Sequence, residues 1–266
     1  MTAQSEDTCE EKSSPDNQED PEVCRTCNGT GFIVWVDDNG CTFAEPCECR
    51  EKMLMKRRLS FAELPEKFKN DTLKTFSISA YSSPKSKEIA RQACKGVNYY
   101  LNNFDSLKTA GMGLYIHSNT KGTGKTRMAA SVANHIMSNT TLQVRFATTT
   151  RIITEIKATW DKDREQSESK LLNDLSRVSV LIVDDLGVEI YKKWIEQVFY
   201  QIINERYINN LPTIFTSNCG IGSLEYDSRI TNRIKEKTFQ IAFPEESVRE
   251  AIMRKNHEEL IQNITK

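Results

Sequence analysis

Long apolar runs are missing from this 266-residue sequence. The longest wholly aliphatic run covers residues 180–183, far short of the ~18 apolar residues that a membrane-spanning helix needs. The first residues lack an apolar stretch behind a basic start, so we expect no secretory signal, no membrane association and a cytoplasmic location. Cysteine is also scarce, with eight residues. That number is too low for a disulfide-rich scaffold and leaves the thiols available for metal binding or chemistry.

Charge is distributed unevenly, although the whole chain has a formal net charge of only −1. Residues 1–23 contain eight acidic residues and one lysine, so the remainder carries an excess of bases. Such a segment buries too little apolar surface to offset the entropy lost on ordering, and we predict a disordered acidic tail. The basic excess on the rest of the chain is compatible with nucleic-acid binding.

Four of the cysteines form two close pairs: Cys24 and Cys27, then Cys47 and Cys49. Each pair presents two thiolates from one tight turn, as a tetrahedral zinc site requires. Between the pairs, Asn39-Gly40 separates two strand-like segments and predicts a hairpin that brings the pairs together, the plan of a zinc ribbon. We predict a metal-stabilised module over residues 24–50. Cys41 is an alternative ligand because the second pair is unusually tight, and free thiols or a redox pair are the other interpretation.

A glycine-bearing loop follows an apolar stretch in the middle of the chain. Residues 119–126 read NTKGTGKT, and a helical pattern begins at Arg127. Strand, glycine-bearing loop and helix are the context of a phosphate-binding loop, whose backbone amides surround the phosphates. Lys125 is expected to reach the β and γ phosphates of ATP, and Thr126 to bind Mg²⁺. Asn119 replaces the first glycine of the pattern, and we expect the loop to form because asparagine tolerates positive φ.

Two aspartates end the most apolar stretch of the chain. Asp184 and Asp185 follow four aliphatic residues that are typical of a central parallel strand. In open α/β sheets, ligands bind at the carboxyl ends of the strands. We therefore expect Asp184 to hold Mg²⁺ through water and Asp185 to orient or deprotonate the attacking water. A buried strand that merely ends in a capping aspartate is the alternative.

Three later features are candidates for the same chemistry. Asn218 follows another strand-like stretch and is a polar amide suited to position water near the γ-phosphate. Arg229 and Arg233 are four residues apart and so share a helix face, where guanidinium groups suit a phosphoryl transition state in a neighbouring subunit; a solvated surface is the alternative. Residues 191–194 combine aromatic and basic side chains, as single-strand-binding surfaces do, although Trp194 is equally consistent with core packing.

Together, these motifs resemble the helicase-loader branch of the AAA+ ATPases, the DnaC/DnaI type and its phage-encoded relatives. The resemblance spans roughly residues 24–260 and rests on CRTCNGTGFIVW, LPEKFKNDTLKTF, GLYIHSNTKGTGKT, VLIVDDLG, TIFTSN and SRITNRI. The last four are shared with IstB-type transposition helpers, whereas the cysteine module favours a loader. The resemblance implies an α/β fold, a P-loop AAA+ doubly wound parallel sheet with a small N-terminal zinc-ribbon-like module. The predicted organisation is an acidic tail (1–23), a zinc-binding module (24–50), a linker (51–75) and an AAA+ ATPase domain (76–266).

The resemblance also implies roles for individual residues. Walker A is represented by Lys125 and Thr126, Walker B by Asp184 and Asp185, and sensor 1 by Asn218. Arg233 matches the arginine finger, Arg229 is a second trans-acting candidate, and Arg249 falls where the sensor 2 arginine is expected. The expected nucleotide-binding residues are Asn119, Thr120, Lys121, Gly122, Thr123, Gly124, Lys125, Thr126, Arg127 and Arg249.

The function implied by the resemblance is ATP-dependent loading of a hexameric DnaB-type replicative helicase onto single-stranded DNA, with ATP, Mg²⁺ and Zn²⁺ as cofactors. The zinc module would bind the helicase, while the ATPase domain would self-associate and hold the DNA. Asp185 stands where glutamate is more usual in AAA+ proteins, which predicts slow hydrolysis used as a switch. The alternatives are an IstB-type helper that binds duplex DNA, and a zinc-dependent nucleic-acid-binding adaptor in which the nucleotide is only structural.

Overall fold

The computed structural model describes residues 24–160, 164–188 and 192–264. The predicted acidic tail, residues 1–23, and Tyr191 of the aromatic and basic stretch lie outside the described residues. The chain divides into two compact units between Leu54 and Met55. Among the described helices, we find none with the length and hydrophobicity that crossing a membrane would require.

The N-terminal unit is built around a two-stranded antiparallel hairpin. Strand β1 (Phe32–Val36) pairs with β2 (Thr42–Pro46), and the helix α1 (Arg50–Ala62) follows. The turn is closed by Asp37, whose Oδ1 accepts hydrogen bonds from the backbone N–H groups of Asn39 (3.0 Å) and Cys41 (2.8 Å). The hairpin predicted from Asn39-Gly40 is therefore confirmed.

The second unit alternates helices and strands. Three 3-10 helices follow α1, at Glu66–Phe68, Leu73–Thr75 and Ile78–Ala80. The remaining elements are α2 (Pro84–Asn102), α3 (Phe104–Thr109), β3 (Gly113–His117), α4 (Lys125–Asn139), β4 (Val144–Thr148), α5 (Thr149–Thr159), α6 (Arg164–Arg177), β5 (Val180–Leu186), α7 (Lys193–Ile208), β6 (Thr213–Ser217), a 3-10 helix (Ile221–Ser223), α8 (Ser228–Glu236), β7 (Thr238–Ala242) and α9 (Val248–Ile264).

The strands from β3 onward form a parallel sheet in the order β4-β5-β6-β3-β7. Side chains alternate between its faces: Leu114 and Ile116 of β3 join one core cluster, and Tyr115 joins the other. Helices cover both faces, so the predicted doubly wound parallel sheet is confirmed. Because β3, β5 and β6 are neighbours, the residues that follow these three strands meet at one edge of the sheet.

The segment between α1 and α2 packs on the unit that contains this sheet. Leu64 is buried in the core, and Phe68 packs against the same cluster. Asn134 on α4 donates hydrogen bonds to the carbonyl groups of Phe68 (2.9 Å) and Asp71 (2.8 Å). Residues 55–75, predicted as part of a linker, are thus attached to the core of the unit that contains the parallel sheet; the predicted domain boundaries remain a proposal.

Candidate nucleotide and zinc sites

The predicted phosphate-binding loop connects β3 to α4. Gly122 (φ +76°) and Gly124 (φ +98°) adopt left-handed backbone conformations, which curl the loop and favour glycine. A side chain at Gly122 would also meet Arg249, whose Cβ lies 3.0 Å from the position of the added carbon. Asn119 does not have a positive φ, so the loop does not depend on the tolerance of asparagine for that conformation. The loop therefore forms without a glycine at that position.

Lys125 begins α4 and folds back over this loop. Its side chain is almost fully buried, and Nζ donates hydrogen bonds to the carbonyl oxygens of Ser118 (3.3 Å) and Thr120 (2.8 Å). Burial lowers the pKa of Lys125, while the carboxylates of Asp185 and Glu245 oppose this shift. The ammonium group thus lies inside the loop, surrounded by acceptors that a phosphate oxygen would replace.

Asp184 lies at the carboxyl end of β5 with only 3% of its surface exposed. Its Oδ1 accepts a hydrogen bond from Thr216 Oγ1 (2.6 Å). Burial raises the pKa of Asp184 to about 6, against hydrogen bonds from Thr216 and Thr126 that lower it. The structure therefore brings Thr126 and Asp184 together. A hydroxyl and a carboxylate oxygen are ligands that suit Mg²⁺, so the residues fit the predicted ion.

Asp185 has a left-handed backbone, with φ +57°. Its backbone N–H donates to Thr216 Oγ1 (2.9 Å), and the pairing of β5 with β6 shifts register between Val183 and Leu186. A non-glycine residue at positive φ costs of order 1–3 kcal/mol and is concentrated at functional sites. One buried threonine, Thr216, therefore fixes both aspartates through a side-chain and a backbone contact.

Residues 243–249, which we call the strap, lie against the phosphate-binding loop. Glu245 accepts hydrogen bonds from Asn119 N and Thr120 Oγ1, both at 2.8 Å. The backbone N–H of Arg249 donates to the Gly122 carbonyl (3.2 Å). Burial acts to raise the pKa of Glu245, but the hydrogen bonds from Asn119 and Thr120 outweigh it and the net shift is downward. The predicted sensor 2 arginine thus begins its helix beside the loop.

Four contacts at this site were not predicted from the sequence. Thr216 and Glu245 are two of them. Tyr81 is the third, and its Oη donates to the Thr123 carbonyl (2.6 Å); Phe76 is the fourth, with a ring that lies beside Gly124. Thr216 sits in the TIFTSN motif and could have been suspected there. The other three are remote in sequence and carry no spacing signal.

The remaining predicted residues of the loop and sensor are dispersed around the site. Asn218 directly follows Ser217, whose carbonyl accepts a hydrogen bond from Ser118 N (3.4 Å), so it lies next to the start of the phosphate-binding loop. Lys121 is exposed. Arg127 is directed elsewhere: its Nη2 forms a salt bridge with Asp71 Oδ1 (2.8 Å).

Arg229 and Arg233 lie on α8, and their described contacts are with neighbouring parts of α7 and α8 rather than with the phosphate-binding loop. The guanidinium carbons of Arg229 and Arg233 lie 5.0 Å and 5.1 Å from the ring centre of Tyr200. Arg229 also pairs with Asp227 (Nε to Oδ1, 3.0 Å). Neither arginine is therefore assembled with Lys125 and Asp184 within one chain.

Trp194 packs at the start of α7. It is partly buried against the core, and its ring centre lies 4.9 Å from that of Trp160 in an edge-to-face arrangement. The interpretation of Trp194 as a packing residue is favoured by these contacts. Lys192 and Lys193 beside it are exposed.

The four predicted zinc ligands form one cluster in the N-terminal unit. The Sγ atoms of Cys24, Cys27, Cys47 and Cys49 all lie within 4.8 Å of one another. The separations are 3.8 Å for Cys24–Cys47 and 3.3 Å for Cys27–Cys49. A tetrahedral ion with Zn–S bonds of about 2.3 Å needs sulfur atoms about 3.8 Å apart, so the cluster fits zinc.

The environment of the cluster lowers the pKa of Cys24 and Cys27, which favours the thiolate form that binds metal, whereas contacts with the neighbouring thiols and burial raise the pKa of Cys47 and Cys49. Backbone hydrogen bonds from Cys27 and Thr26 lower the pKa of Cys24 to about 6. The Gly31 backbone N–H donates to Cys27 Sγ (3.3 Å), which also supports a negative sulfur. Cys41 is exposed on the hairpin and lies outside the cluster. Cys47 and Cys49 therefore complete the group of four thiols, and Cys41 is not needed as a substitute.

The chain is similar to a family of ATP-binding proteins and to several known proteins. Residues 112–234 match the family described as IstB-like ATP binding protein. The replicative helicase loader DnaC of Buchnera aphidicola subsp. Baizongia pistaciae is 25% identical over 211 residues, which cover 78% of this chain and 81% of that protein. The phage-like element PBSX protein XkdC of Bacillus subtilis is 24% identical over 219 residues, covering 80% and 78%.

A solved structure shares the fold. The crystal structure of the DnaC helicase loader superimposes with a TM-score of 0.56 and 24% identity, covering 67% of this chain and 99% of that one. Residues 112–234, which match the IstB-like family, contain the phosphate-binding loop and both aspartates. These matches confirm the resemblance predicted from the sequence.

Proposed function

Starting from this similarity to DnaC-type helicase loaders and to IstB-like ATP-binding proteins, we propose that the chain is an AAA+ ATPase that loads a replicative DNA helicase onto single-stranded DNA. Its ATP hydrolysis acts as a switch. The observation that carries the proposal is the convergence of Lys125, the Thr126–Asp184 pair and the strap at one edge of the sheet. The relatives named as replicative helicase loaders support the biological role.

The hydrolytic chemistry follows from the positions of the side chains. Lys125 would exchange its two carbonyl acceptors for β and γ phosphate oxygens, and the N-terminus of α4 would add positive potential. Bound Mg²⁺, held by Thr126 and Asp184, would neutralise charge on the phosphates. Asp185 would orient the attacking water or accept its proton, and Asn218 would help to position that water. Arg233, with Arg229 as the second candidate, would contact the γ-phosphate of an adjacent protomer.

The side-chain length and the backbone conformation of Asp185 support the proposal that ATP hydrolysis acts as a slow switch. Asp185 is one methylene shorter than glutamate, and its left-handed backbone is fixed by Thr216. A shorter base at a constrained position favours slow turnover. On this proposal, partners bind or dissociate according to whether ATP or ADP is bound. Rapid repeated hydrolysis is not needed.

The zinc module is proposed as the contact with the helicase. Its cluster is stabilised by metal binding, which would hold the hairpin in one conformation. The ATPase unit would self-associate and hold single-stranded DNA.

The test is light scattering during size-exclusion chromatography of the full chain with a cognate hexameric replicative helicase, with and without ATP. We expect a stable complex that is lost in the Cys24→Ser/Cys27→Ser variant and retained in Cys41→Ser, a matched change outside the cluster. Wild-type ATP turnover stimulated by single-stranded DNA, and abolished by Lys125→Ala, is expected alongside. Absence of any complex, together with nucleotide-dependent binding to duplex DNA, would instead support the IstB-type helper.

A further inference from the structure

Basic side chains at α8 and just after it lie over two tyrosine rings of α7. Arg229 and Arg233 are four residues apart on one side of α8, and Lys237 directly follows the last residue of this helix. The Arg233 guanidinium carbon is 5.1 Å from the ring centre of Tyr200 and 5.5 Å from that of Tyr207. Lys237 Nζ is 5.6 Å from the Tyr207 ring. All are within the ≈6 Å range of cation–π contacts, and we call Tyr200 and Tyr207 the tyrosine platform.

The two arginines differ in what else they contact. Arg229 is held by both oxygens of Asp227, from Nε (3.0 Å) and Nη2 (3.3 Å). In the part of the chain that the structure describes, Arg233 has no salt bridge, and its buried Nη1 has no hydrogen-bond partner. Buried donors are nearly always paired, so an unpaired one calls for an explanation. Arg233, unlike Arg229, is therefore not held by a carboxylate in the part of the chain that the structure describes.

Aromatic rings suit an arginine that must later change partners. A cation–π contact fixes the position of a guanidinium, but it is weaker than charge-assisted hydrogen bonds to a phosphate. A carboxylate in the same place would compete with the phosphate for the same donors. The rings can thus hold the side chain in place without opposing its transfer.

The tyrosine platform is itself fixed. Arg206, next to Tyr207 on α7, is fully buried and donates to the carbonyl groups of Leu175 (3.0 Å), Val178 (2.8 Å) and Pro212 (2.8 Å). The Tyr207 hydroxyl donates to Glu236 on α8 (2.9 Å). These contacts anchor α7 to the core and join it to α8, so both rings have defined positions.

We propose that Tyr200 and Tyr207 are positioning residues, which keep Arg233 unpaired and oriented for the phosphate bound by a second copy of this chain. The inference rests on the proposed function, because it assumes that ATP hydrolysis is completed in trans. It extends that proposal by assigning the arginine that acts and the rings that hold it.

The test compares Tyr200→Leu, which removes the ring, with Tyr200→Phe, which keeps it. ATP turnover of the full chain with single-stranded DNA is measured together with the Kd of a fluorescent ATP analogue. We expect kcat to fall at least tenfold in Tyr200→Leu and to stay within twofold in Tyr200→Phe, with Kd unchanged in both. Equal turnover in the two variants, whether normal or reduced, would overturn the proposal that the tyrosine ring positions Arg233.

Mixing experiments show whether the loss acts in trans. An Asp185→Asn protomer has a defective site but an intact Arg233, so mixing it with Tyr200→Leu should restore turnover above the sum of the separate proteins. The matched mixture with Arg233→Ala should behave likewise. Recovery for Arg233→Ala without recovery for Tyr200→Leu overturns the inference and leaves the proposed function standing. Normal turnover of Arg233→Ala alone overturns the inference and leaves Arg229 as the arginine that would act in trans.

A folding defect in Tyr200→Leu would be detected as a lowered Tm. The comparison then moves to Tyr207→Leu and Tyr207→Phe, because the ring of Tyr207 is also in contact with Arg233. The expected pattern is the same: the leucine variant loses turnover and the phenylalanine variant keeps it. Retained turnover in Tyr207→Leu would contradict the inference.

Discussion

Asp184 is a carboxyl group that folding removes from water before any metal compensates its charge. Burial favours its neutral form, and the hydrogen bonds from Thr216 and Thr126 offset only part of that effect. The raised pKa means that the ionised group destabilises the metal-free protein. Mg²⁺ bound by the same carboxylate would reverse this effect, so function is gained at a position that costs stability.

A pH-dependent stability difference follows for Asp184→Asn. The pKa of Asp184 is about 6 in the folded protein and ordinarily 3.8. Between these values the folded state binds a proton that the unfolded state has lost, so the free energy of unfolding falls as the pH rises from about 4 to about 6. In EDTA at pH 8, Asp184→Asn should raise the free energy of unfolding by about 1–3 kcal/mol. At pH 4.5 the gain should shrink by more than half.

Urea unfolding at the two pH values measures this difference. Asp174→Asn, an exposed aspartate on α6, is the matched control and should be neutral at both. A gain for Asp184→Asn of equal size at pH 8 and pH 4.5 would show that the carboxyl charge is not its cause.

Some features of the site could be predicted from the sequence because they depend on a local pattern of residues, whereas others depend on contacts with a neighbouring strand. The two aspartates are evident in the sequence because a run of aliphatic residues ends at them. The left-handed backbone of Asp185 is not evident, because it depends on the register shift between β5 and β6 and on Thr216. It does give a reason for the departure from glutamate, since aspartate tolerates this conformation better than longer side chains do.

At the scale of elements, the strap brings a carboxylate to a loop whose ligand is an anion. Glu245 holds the start of the phosphate-binding loop through Asn119 and Thr120, and its charge acts on Lys125. The same carboxylate would repel bound phosphates. We therefore expect the strap to stabilise the nucleotide-free loop and to lower its affinity for ATP.

Glu245→Gln should tighten ATP binding. Glutamine keeps an oxygen acceptor for Asn119 N but removes the negative charge, and a gain of about 1.4 kcal/mol corresponds to a tenfold lower Kd. Calorimetric titration with Mg·ATP measures it. Glu246→Gln is the matched control, because Glu246 accepts instead from Ser82 N (2.6 Å) and Ser83 N (3.2 Å). Equal effects of the two variants, or weaker binding in Glu245→Gln, would contradict the repulsion.

This contact also marks the limit of prediction for elements. The order strand, loop and helix around Lys125 is local and was predicted from the pattern of residues. Glu245 lies 126 positions after Asn119, and the two meet only because β7 pairs with β3. Neither periodicity nor spacing determines the strand order of a parallel sheet, so the strap was not predictable from this sequence.

The whole molecule combines two units that are stabilised by different forces. The unit with the parallel sheet has two extended apolar clusters, one on each face. In the hairpin unit, by contrast, almost every residue of β1 and β2 is exposed. A hairpin without an apolar core is marginal in water, so we expect metal binding to be the main source of its stability. The sequence indicated this difference through the cysteine spacing and the aliphatic strands.

Removing zinc from the full chain should therefore unfold the hairpin unit alone. With a chelator, amide hydrogen exchange of residues 24–49 should rise to unprotected rates, while that of residues 113–139 and the Kd for ATP should stay unchanged. The reason is that the sheet unit derives its stability from apolar burial, whereas the hairpin depends on the cluster. Cys24→Ser should reproduce the effect without chelator, and Cys41→Ser should retain one zinc ion and full protection, since Cys41 lies outside the cluster. Persistent protection of residues 24–49 after metal loss would mean that the hairpin is stabilised by packing, and metal loss in Cys41→Ser would mean that a different set of thiolates binds the ion.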